Sequence, residues 1–549
     1  MMYRLRERKG GIALLALLAL GLAACDGDDG SDGAPGAAGA DGTPGADGIS
    51  CWDLNENGIK DPEEDVNGDG VVDVFDCQSP TGDYTPAGLH KGYFSENDYT
   101  GGESCMKCHG EIGDAVLMTG HWNWEGVAAG IEGFESEIHG KNDIINNFCV
   151  AVPSNEGRCT QCHIGVGYAD DTFDFGNRNN IDCLACHDQT GTYKKEPKTA
   201  GAPDPEKVDL NAVAGSVAEN GGIPTRKACL FCHASAGGGD NVKHGDLSSD
   251  LIATTREYDV HMGTDSLGAY PCTECHNLKR GDNGEALDHG IGGMPYHSVD
   301  EGSLKTCTDC HGSAANIHAA APVAGVIESH PTLACQVCHI PAIARKLPTK
   351  TEWYWETAGD LDAEIPTDPV TGKPLYDPMK GSFAWGLNVR PSLLYSDGKW
   401  EKALIGVNDI FPGATPENPA VLAKPTADHT TPGAMIYPFK RMIGNQPADA
   451  ANDKILSPHL FGLKGGPNPY WAKYDWNLAL QDGAAYTNQP YSGDYYFIDT
   501  VMYLSVNHEV APKEMAYGNN LCDDCHLEGQ IDWSLLGYSA NPVQGGTRP

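Results

Sequence analysis

Basic side chains are scarce in this chain of 549 residues: 37 Lys and Arg stand against 76 Asp and Glu, for a formal net charge of −39. Nucleic acids are bound through clustered Lys and Arg, so this composition excludes a nucleic-acid partner. It also disfavours docking on an anionic lipid surface. We expect a solvated acidic surface, although a buried site inside such a protein can be locally positive.

Long apolar runs are lacking as well. Residues 12–22 are apolar but too few to span a bilayer, and several basic residues precede them within 4–9. This is the pattern of an export signal. The run ends in Leu22-Ala23-Ala24-Cys25, which is similar to the lipobox of bacterial lipoproteins. We therefore expect residues 1–24 to be a signal peptide. We also expect Cys25 to be lipidated, which would tether the protein outside the cytoplasm, in the periplasm or at the cell surface.

The segment that follows has a collagen-like period, with Gly at every third position from Gly27 to Gly48. The run is short and poor in proline. It therefore favours a flexible spacer over residues 25–50 rather than a stable triple helix.

Two acidic loops lie back to back within residues 51–77. Their oxygen-bearing side chains alternate as in the D-x-N-x-N-G-x5-E pattern that binds calcium, with Gly at the sharp turn. No helix fits between the loops, so this is unlike a true EF-hand pair. We predict a small structural calcium module, closed by a disulfide between Cys51 and Cys77. The predicted ligands are Asp53, Asn55, Asn57, Asp61, Glu64, Asp65, Asn67, Asp69, Asp73 and Asp76.

Cysteine is abundant, and sixteen of the 20 cysteines belong to eight C-x-x-C-H motifs. The two thiols of such a motif add to the vinyl groups of a haem, and the adjacent His ligates the iron. Zinc ribbons do not need a His after every C-x-x-C, and a thioredoxin-like site has one motif, so both are disfavoured. We predict eight haem c groups, bound by Cys105, Cys108 and His109; Cys159, Cys162 and His163; Cys183, Cys186 and His187; Cys229, Cys232 and His233; Cys272, Cys275 and His276; Cys307, Cys310 and His311; Cys335, Cys338 and His339; and Cys522, Cys525 and His526.

Twelve histidines lie outside the motifs, which is enough to give every iron a second ligand. The count alone therefore leaves open a wire of bis-histidine haems with no free iron. We predict the distal ligands among His121, His139, His244, His261, His289, His318, His330 and His508. One cysteine, Cys149, is left over ten residues before the second motif. It is either inert packing or a group beside that haem.

Several segments between and around the motifs form a further pattern: Asn146–Cys149, Pro153–Glu156, Arg158–His163, Ile181–His187, Thr190–Lys195, Gly239–Asp246, Arg256–Met262, Cys335–Pro341, Leu347–Lys350, and His508 with Val510–Lys513. Together with the eight motifs, they resemble the octahaem tetrathionate reductase family. The resemblance covers about residues 95–538 and leaves 539–549 as a tail. It implies kinship with pentahaem nitrite reductase and hydroxylamine oxidoreductase. It also implies a mostly α, loop-rich fold whose core is packed haem. We expect C-terminal helices near Trp476 and after Asp499.

The resemblance further implies that the second haem, at His163, is catalytic and that a lysine nitrogen meets its iron. The other seven haems are expected to be bis-His relays. A lysine ligand must be neutral, and burial beside ferric haem would depress its pKa. Lys243, with Asp240 three residues before it, is our first choice, and Lys194 or Lys195 is the second. The predicted catalytic set is Lys243, Asp240, His163 and Cys149.

The function implied by the resemblance is reduction of tetrathionate, nitrite or hydroxylamine, with electrons from partner cytochromes or a quinol dehydrogenase. The alternative is a non-catalytic, extracytoplasmic electron-transfer conduit. An iron without two strong ligands would distinguish the two. A calcium-dependent adhesion or scaffold role explains only residues 27–77 and leaves the haems idle.

Overall fold

The computed structural model describes residues 59–66, 70, 72, 76, 85–196, 199–266, 268–280, 286–291, 304–462, 464–527 and 529–548. The predicted signal peptide, Cys25, the spacer and the Cys51–Cys77 disulfide lie outside the described residues. So do the predicted calcium ligands Asp53, Asn55, Asn57, Asn67, Asp69 and Asp73. Across the described ranges, no helix combines the length and apolarity needed to cross a membrane.

The helices are short and most of them carry or flank a C-x-x-C-H motif. Helix accounts for 27% of the residues and strand for 19%, so the expectation of a mostly α fold is not confirmed. The helices are α1 Pro86–Glu96, α2 Gly102–Val116, α3 Glu156–Cys159, α4 Leu184–His187, α5 Leu210–Ser216, α6 Arg226–His233, α7 Cys307–His311, α8 Ala314–Ile317, α9 Ala324–Ser329, α10 Cys335–His339, α11 Tyr470–Lys473, α12 Trp476–Tyr486 and α13 Asp523–His526.

Strands dominate the stretch between the seventh and eighth motifs. The strands are β1 Glu125–Val127, β2 Ile138–Gly140, β3 Leu278–Arg280, β4 Ala286–Ile291, β5 Thr349–Tyr354, β6 Tyr376–Asp377, β7 Gly381–Gly386, β8 Ser392–Ser396, β9 Trp400–Lys402, β10 Ala420–Pro425, β11 Met435–Asp449, β12 Lys454–Ile455 and β13 Tyr495–Ser505. Strands β5 to β13 form one mixed sheet in the order β6-β7-β5-β11-β13-β10-β9, with β8 and β12 also paired to β11.

The centre of the sheet is the antiparallel pair β11 and β13, in register from Phe439 opposite Ser505 to Asp449 opposite Tyr495. The second half of β13 is continuously buried, as expected for a strand covered on both faces. Its sequence is rich in Tyr, Val, Ile and Phe, which favour strands. The helix predicted directly after Asp499 to carry the last haem is therefore misplaced: Asp499 lies within β13, and the helix at the last motif, α13, begins only at Asp523. The helix predicted near Trp476 is confirmed as α12, which Asp475 caps by accepting a hydrogen bond from the Leu478 N–H at 3.0 Å.

The sheet has a hydrophobic core of its own, built from the aromatic residues of this stretch. Trp353, Trp355 and Trp400 are almost fully buried in one cluster with Phe439 and Met442. Large aromatic side chains contribute most to such a core because each buries a large apolar area. Around the sheet, the interior of the protein is therefore filled by side chains.

The sheet also anchors two chain segments, one before the second haem motif and one after the fourth. The side-chain amide of Asn147 donates to the Met442 carbonyl at 2.9 Å, and its oxygen accepts from Thr500 at 2.7 Å. The Thr349 hydroxyl donates to the Asn241 carbonyl at 2.7 Å, and the Lys440 ammonium donates to the Val242 carbonyl. These contacts fix the segments that carry Cys149 and Lys243.

Candidate haem sites and active site

Each C-x-x-C-H motif lies on a helical turn. Six are on α2, α4, α6, α7, α10 and α13, and the other two are on the 3-10 turns Thr160–Cys162 and Cys272–Glu274. Residues three and four apart share one face of a helix. The turn therefore presents both thiols and the imidazole of a motif on the same side, as attachment to one planar haem requires.

Seven of the eight motif histidines face a second imidazole from elsewhere in the chain. The ring centres are 5.8–6.3 Å apart in every pair. The pairs are His109 with His90, His187 with His289, His233 with His121, His276 with His508, His311 with His261, His339 with His318, and His526 with His330.

This spacing fits an iron held between two imidazoles. Two metal–nitrogen bonds of about 2 Å, plus about 1 Å from each nitrogen to its ring centre, separate the rings by about 6 Å. A continuous cavity of about 2570 Å³ runs past the second motif and the fourth to seventh motifs, and their cysteines and histidines line it. The donor sets and the space therefore suit haem c.

The pairs revise the distal-ligand prediction. Of the eight predicted distal histidines, six lie in pairs and two, His139 and His244, do not. The Nδ1 atom of His139 lies 2.5 Å from Asp143, and its ring packs edge-on against Phe134. His90 takes a position that the prediction missed, opposite His109. The sequence does indicate the helix that carries His90, because Thr85 is a favourable N-cap and Pro86 a favourable first residue of α1.

His163 is the exception among the motif histidines. Within the described ranges its ring contacts are Trp124, at 5.2 Å between ring centres, and Tyr168, at 5.9 Å, with no second imidazole. Burial and the positive charges of Lys141 and Lys195 hold the pKa of His163 well below its usual value. The ring is therefore neutral and able to ligate a metal.

The cavity around His163 is lined by cations. Lys141, Lys243, Lys380, Lys402 and Arg158 all contribute to its wall. The charge of Lys141, followed by burial and Lys402, lowers the pKa of Lys243 to about 7. Burial lowers the pKa of Lys402 to about 8. Lys243 can therefore lose its proton near neutral pH, while Lys141 and Arg158 leave positive charge in a wall that also contains Glu125.

The two alternative lysines have other environments. Lys195 is 3.2 Å from Asp182 in a fully buried ion pair and also donates to the His163 and Gly165 carbonyls. Lys194 is exposed. Of these three lysines, Lys243 is therefore the one whose side chain lines the cavity that His163 faces.

The other two predicted catalytic residues, Cys149 and Asp240, lie in different surroundings. Cys149 lines the cavity beside Cys159, and burial raises the pKa of its thiol. Asp240 is not among the cavity-lining residues; its carboxylate accepts hydrogen bonds from the backbone N–H of Ser249, at 2.9 Å, and from the Ser249 hydroxyl. This geometry gives Asp240 a capping role on the 249–253 turn and does not support a catalytic one.

The calcium prediction has four ligands within the described residues. Glu64 and Asp76 are buried, at 1% and 0% exposed. Buried carboxylate oxygens of Glu64 and Asp65 have no hydrogen-bond partner, and Asp65 uses its other oxygen to accept from the Gly70 N–H at 2.9 Å. No group of three metal-ligating side chains assembles within the described part of the chain.

Comparison with known proteins agrees with this arrangement. The family described as bacterial cytochrome c matches residues 350–529. The crystal structure of octahaem cytochrome c from Shewanella oneidensis superposes with a TM-score of 0.70 at 35% identity, covering 84% of this chain and 99% of that one. An uncharacterised protein of Archaeoglobus fulgidus is 26% identical over 34% of this chain and 75% of its own length.

Proposed function

Because the chain belongs to the family of octahaem cytochromes c, we propose that it is a reductase that acts on tetrathionate, nitrite or hydroxylamine at the haem site of His163. The observation that carries the proposal is the difference between His163 and the other seven motif histidines. Seven have an imidazole opposite them, whereas among the described residues the ring of His163 contacts only Trp124 and Tyr168, and the cavity beside it carries Lys141 and Lys243. When bound, the haems supply one-electron oxidation and reduction at iron.

The residues around His163 have separable roles in this proposal. Lys243, once neutral, would be a second group able to hold the haem of His163 and to give way to substrate, and contacts from Lys440 and Thr349 to the neighbouring carbonyls hold its turn in place. Lys141 and Lys402 attract the anionic substrate, because charges act strongly in a site removed from water. Lys243 can exchange a proton near neutral pH, because its pKa is lowered to about 7, whereas burial keeps Cys149 as a protonated thiol in the cavity wall. Tetrathionate needs two electrons and no proton to split into two thiosulfates, whereas nitrite reduction to ammonia consumes protons.

An electron conduit is the second candidate function. The seven facing histidine pairs favour it, because bis-histidine irons exchange electrons without binding substrate. Both candidates share these relays and redox partners such as cytochromes or a quinol dehydrogenase. They differ only in what happens at His163.

We place this activity outside the cytoplasm. Attachment through Cys25, with residues 25–50 as the spacer, is the tether that the sequence pattern favours. The module at residues 51–77 is proposed to bind calcium for stability, on the strength of the unpartnered carboxylate oxygens of Glu64 and Asp65.

Reoxidation of the fully reduced protein tests the proposal. Without oxygen, we expect one of tetrathionate, nitrite or hydroxylamine to reoxidise the haems in a fast, saturable reaction. Lys243→Ala should change its rate or saturation, while Lys194→Ala, at an exposed lysine, should not. Reoxidation no faster than that of a simple bis-histidine cytochrome, for all three substrates, would leave the conduit as the function.

A further inference from the structure

The paired histidines differ in the group to which the Nδ1 atom of each ring is hydrogen-bonded. Among those for which the structure shows a ring-nitrogen hydrogen bond, His508 is the one that faces a carboxylate: its Nδ1 lies 3.2 Å from Oδ2 of Asp246. The others face neutral oxygens. These are the backbone carbonyls of Pro86, Gly222, Ala314 and Val326, for His90, His187, His318 and His330 at 2.6–2.9 Å, and the Asn541 side chain, for His526 at 3.0 Å.

Burial and hydrogen bonds fix the position of the Asp246 side chain. It is 1% exposed. The same Oδ2 accepts hydrogen bonds from the backbone N–H groups of Asn507, at 2.7 Å, and His508, at 2.8 Å. Three N–H donors therefore converge on one oxygen and leave the carboxylate a single orientation toward the His508 ring.

A carboxylate in this position changes the ligand that it touches. An imidazole that donates its second N–H to a carboxylate becomes more basic than one that donates to a neutral oxygen. A more basic ligand gives more electron density to iron and stabilises the ferric state over the ferrous state. The effect is strongest where the surroundings have a low dielectric constant, as around Asp246.

We propose that Asp246 acts through His508 to make the haem at Cys272 and Cys275 the hardest to reduce of the seven bis-histidine haems. The inference rests on ligation of that haem by His276 and His508, whose rings are nearly parallel at 20°. It does not require that any substrate is reduced. The haem would be the last to accept an electron and the first to pass one on.

Stepwise reduction of the anaerobic holoprotein, followed by haem absorbance and by electron paramagnetic resonance, tests this proposal. In Asp246→Asn the lowest-potential component should become easier to reduce by at least ten-fold in its equilibrium constant, which is about 59 mV for one electron. The other components should stay in place. We expect the variant to fold, because Asn keeps an oxygen that accepts the same N–H groups.

Asp259→Asn is the matched control. Asp259 is also buried and accepts backbone N–H groups from His261, Met262 and Val510, but it touches no ring nitrogen. The Asp259 charge acts on the rings of His508 and His261 through space and not through a hydrogen bond, so the potential shift in Asp259→Asn should be several-fold smaller. An unmoved lowest component in Asp246→Asn, or an equal shift in Asp259→Asn, would overturn the proposal.

A third variant, His508→Met, identifies the component. A thioether ligand raises the potential of its own haem and alters its spectrum. If the component that changes in His508→Met is the same one that moves in Asp246→Asn, the proposal stands. If no component changes in His508→Met, the ligation on which it rests is wrong. That result would leave the reductase proposal at His163 untouched.

Discussion

Lys195 and Asp182 form an ion pair of 3.2 Å in which the two side chains are only 1% and 2% exposed. The same ammonium donates to the carbonyl of His163, and the Tyr193 hydroxyl donates to Asp182. Asp182 directly precedes Cys183 in the chain. This buried ion pair therefore links the second haem motif to the third.

Lys195→Met should lower the free energy of unfolding by about 3–5 kcal/mol, because it leaves the Asp182 carboxylate buried without its partner. Lys207→Met is the control. Lys207 pairs with Glu196 and Asp204 but is 51% exposed, so its loss should cost about 0–1 kcal/mol. The double variant Lys195→Met with Asp182→Asn should recover part of the loss. Denaturant unfolding measures all of these, and equal costs for the two lysines would contradict the account.

The revised pairing of the first haem gives a second prediction. His90→Ala should leave the iron at His109 with one strong ligand and add a high-spin haem to the magnetic circular dichroism spectrum. His139→Ala should add none, because His139 contacts Asp143 and Phe134 instead. The opposite pattern would restore the original ligand prediction and remove His90 from the set.

Lys440 makes stability depend on pH. Burial lowers its pKa from 10.5 to about 7, only partly offset by Asp246. Between these two values the unfolded chain binds a proton at this lysine that the folded protein does not, so stability should rise with pH across the window. The whole effect is on the order of a few kcal/mol.

Thermal unfolding between pH 7 and pH 9.5 checks this expectation. Lys440→Met should make the rise less steep but not remove it, because Lys243 and Lys402 also have lowered pKa values. Lys91→Met, at a lysine whose side chain is 69% exposed, should leave it unchanged. A rise of the same steepness in Lys440→Met would assign the pH dependence to other groups.

Calcium removal tests the acidic module. A cation that binds only the folded protein raises its melting temperature by mass action. Chelation should therefore lower the melting temperature, and Glu64→Gln should abolish the difference, because a buried oxygen of Glu64 has no other partner. Glu63→Gln, at an exposed neighbour, should retain it. A melting temperature that is indifferent to calcium would contradict the module.

The haem attachment sites could be predicted from sequence because the cysteines and the proximal histidine of each motif are neighbours in the chain. The distal ligands could be predicted only in part. His276 and His508 meet through tertiary packing, and nothing near His508 in the sequence specifies its partner. His90 was missed for the same reason.

Two other predictions failed for local reasons. The helix expected after Asp499 is the strand Tyr495–Ser505, whose aromatic and β-branched residues favour strands more than helices. Asp240 was chosen for its spacing from Lys243. Spacing alone could not show that its carboxylate points to Ser249.

Carbon monoxide uptake by the fully reduced protein tests the central claim most directly, since a ligand of this kind binds where an iron lacks a second strong protein ligand. The account predicts one molecule bound per chain, at the haem of His163, and a second in His90→Ala. Uptake of none by the unmodified protein would contradict the account and make the chain an electron conduit.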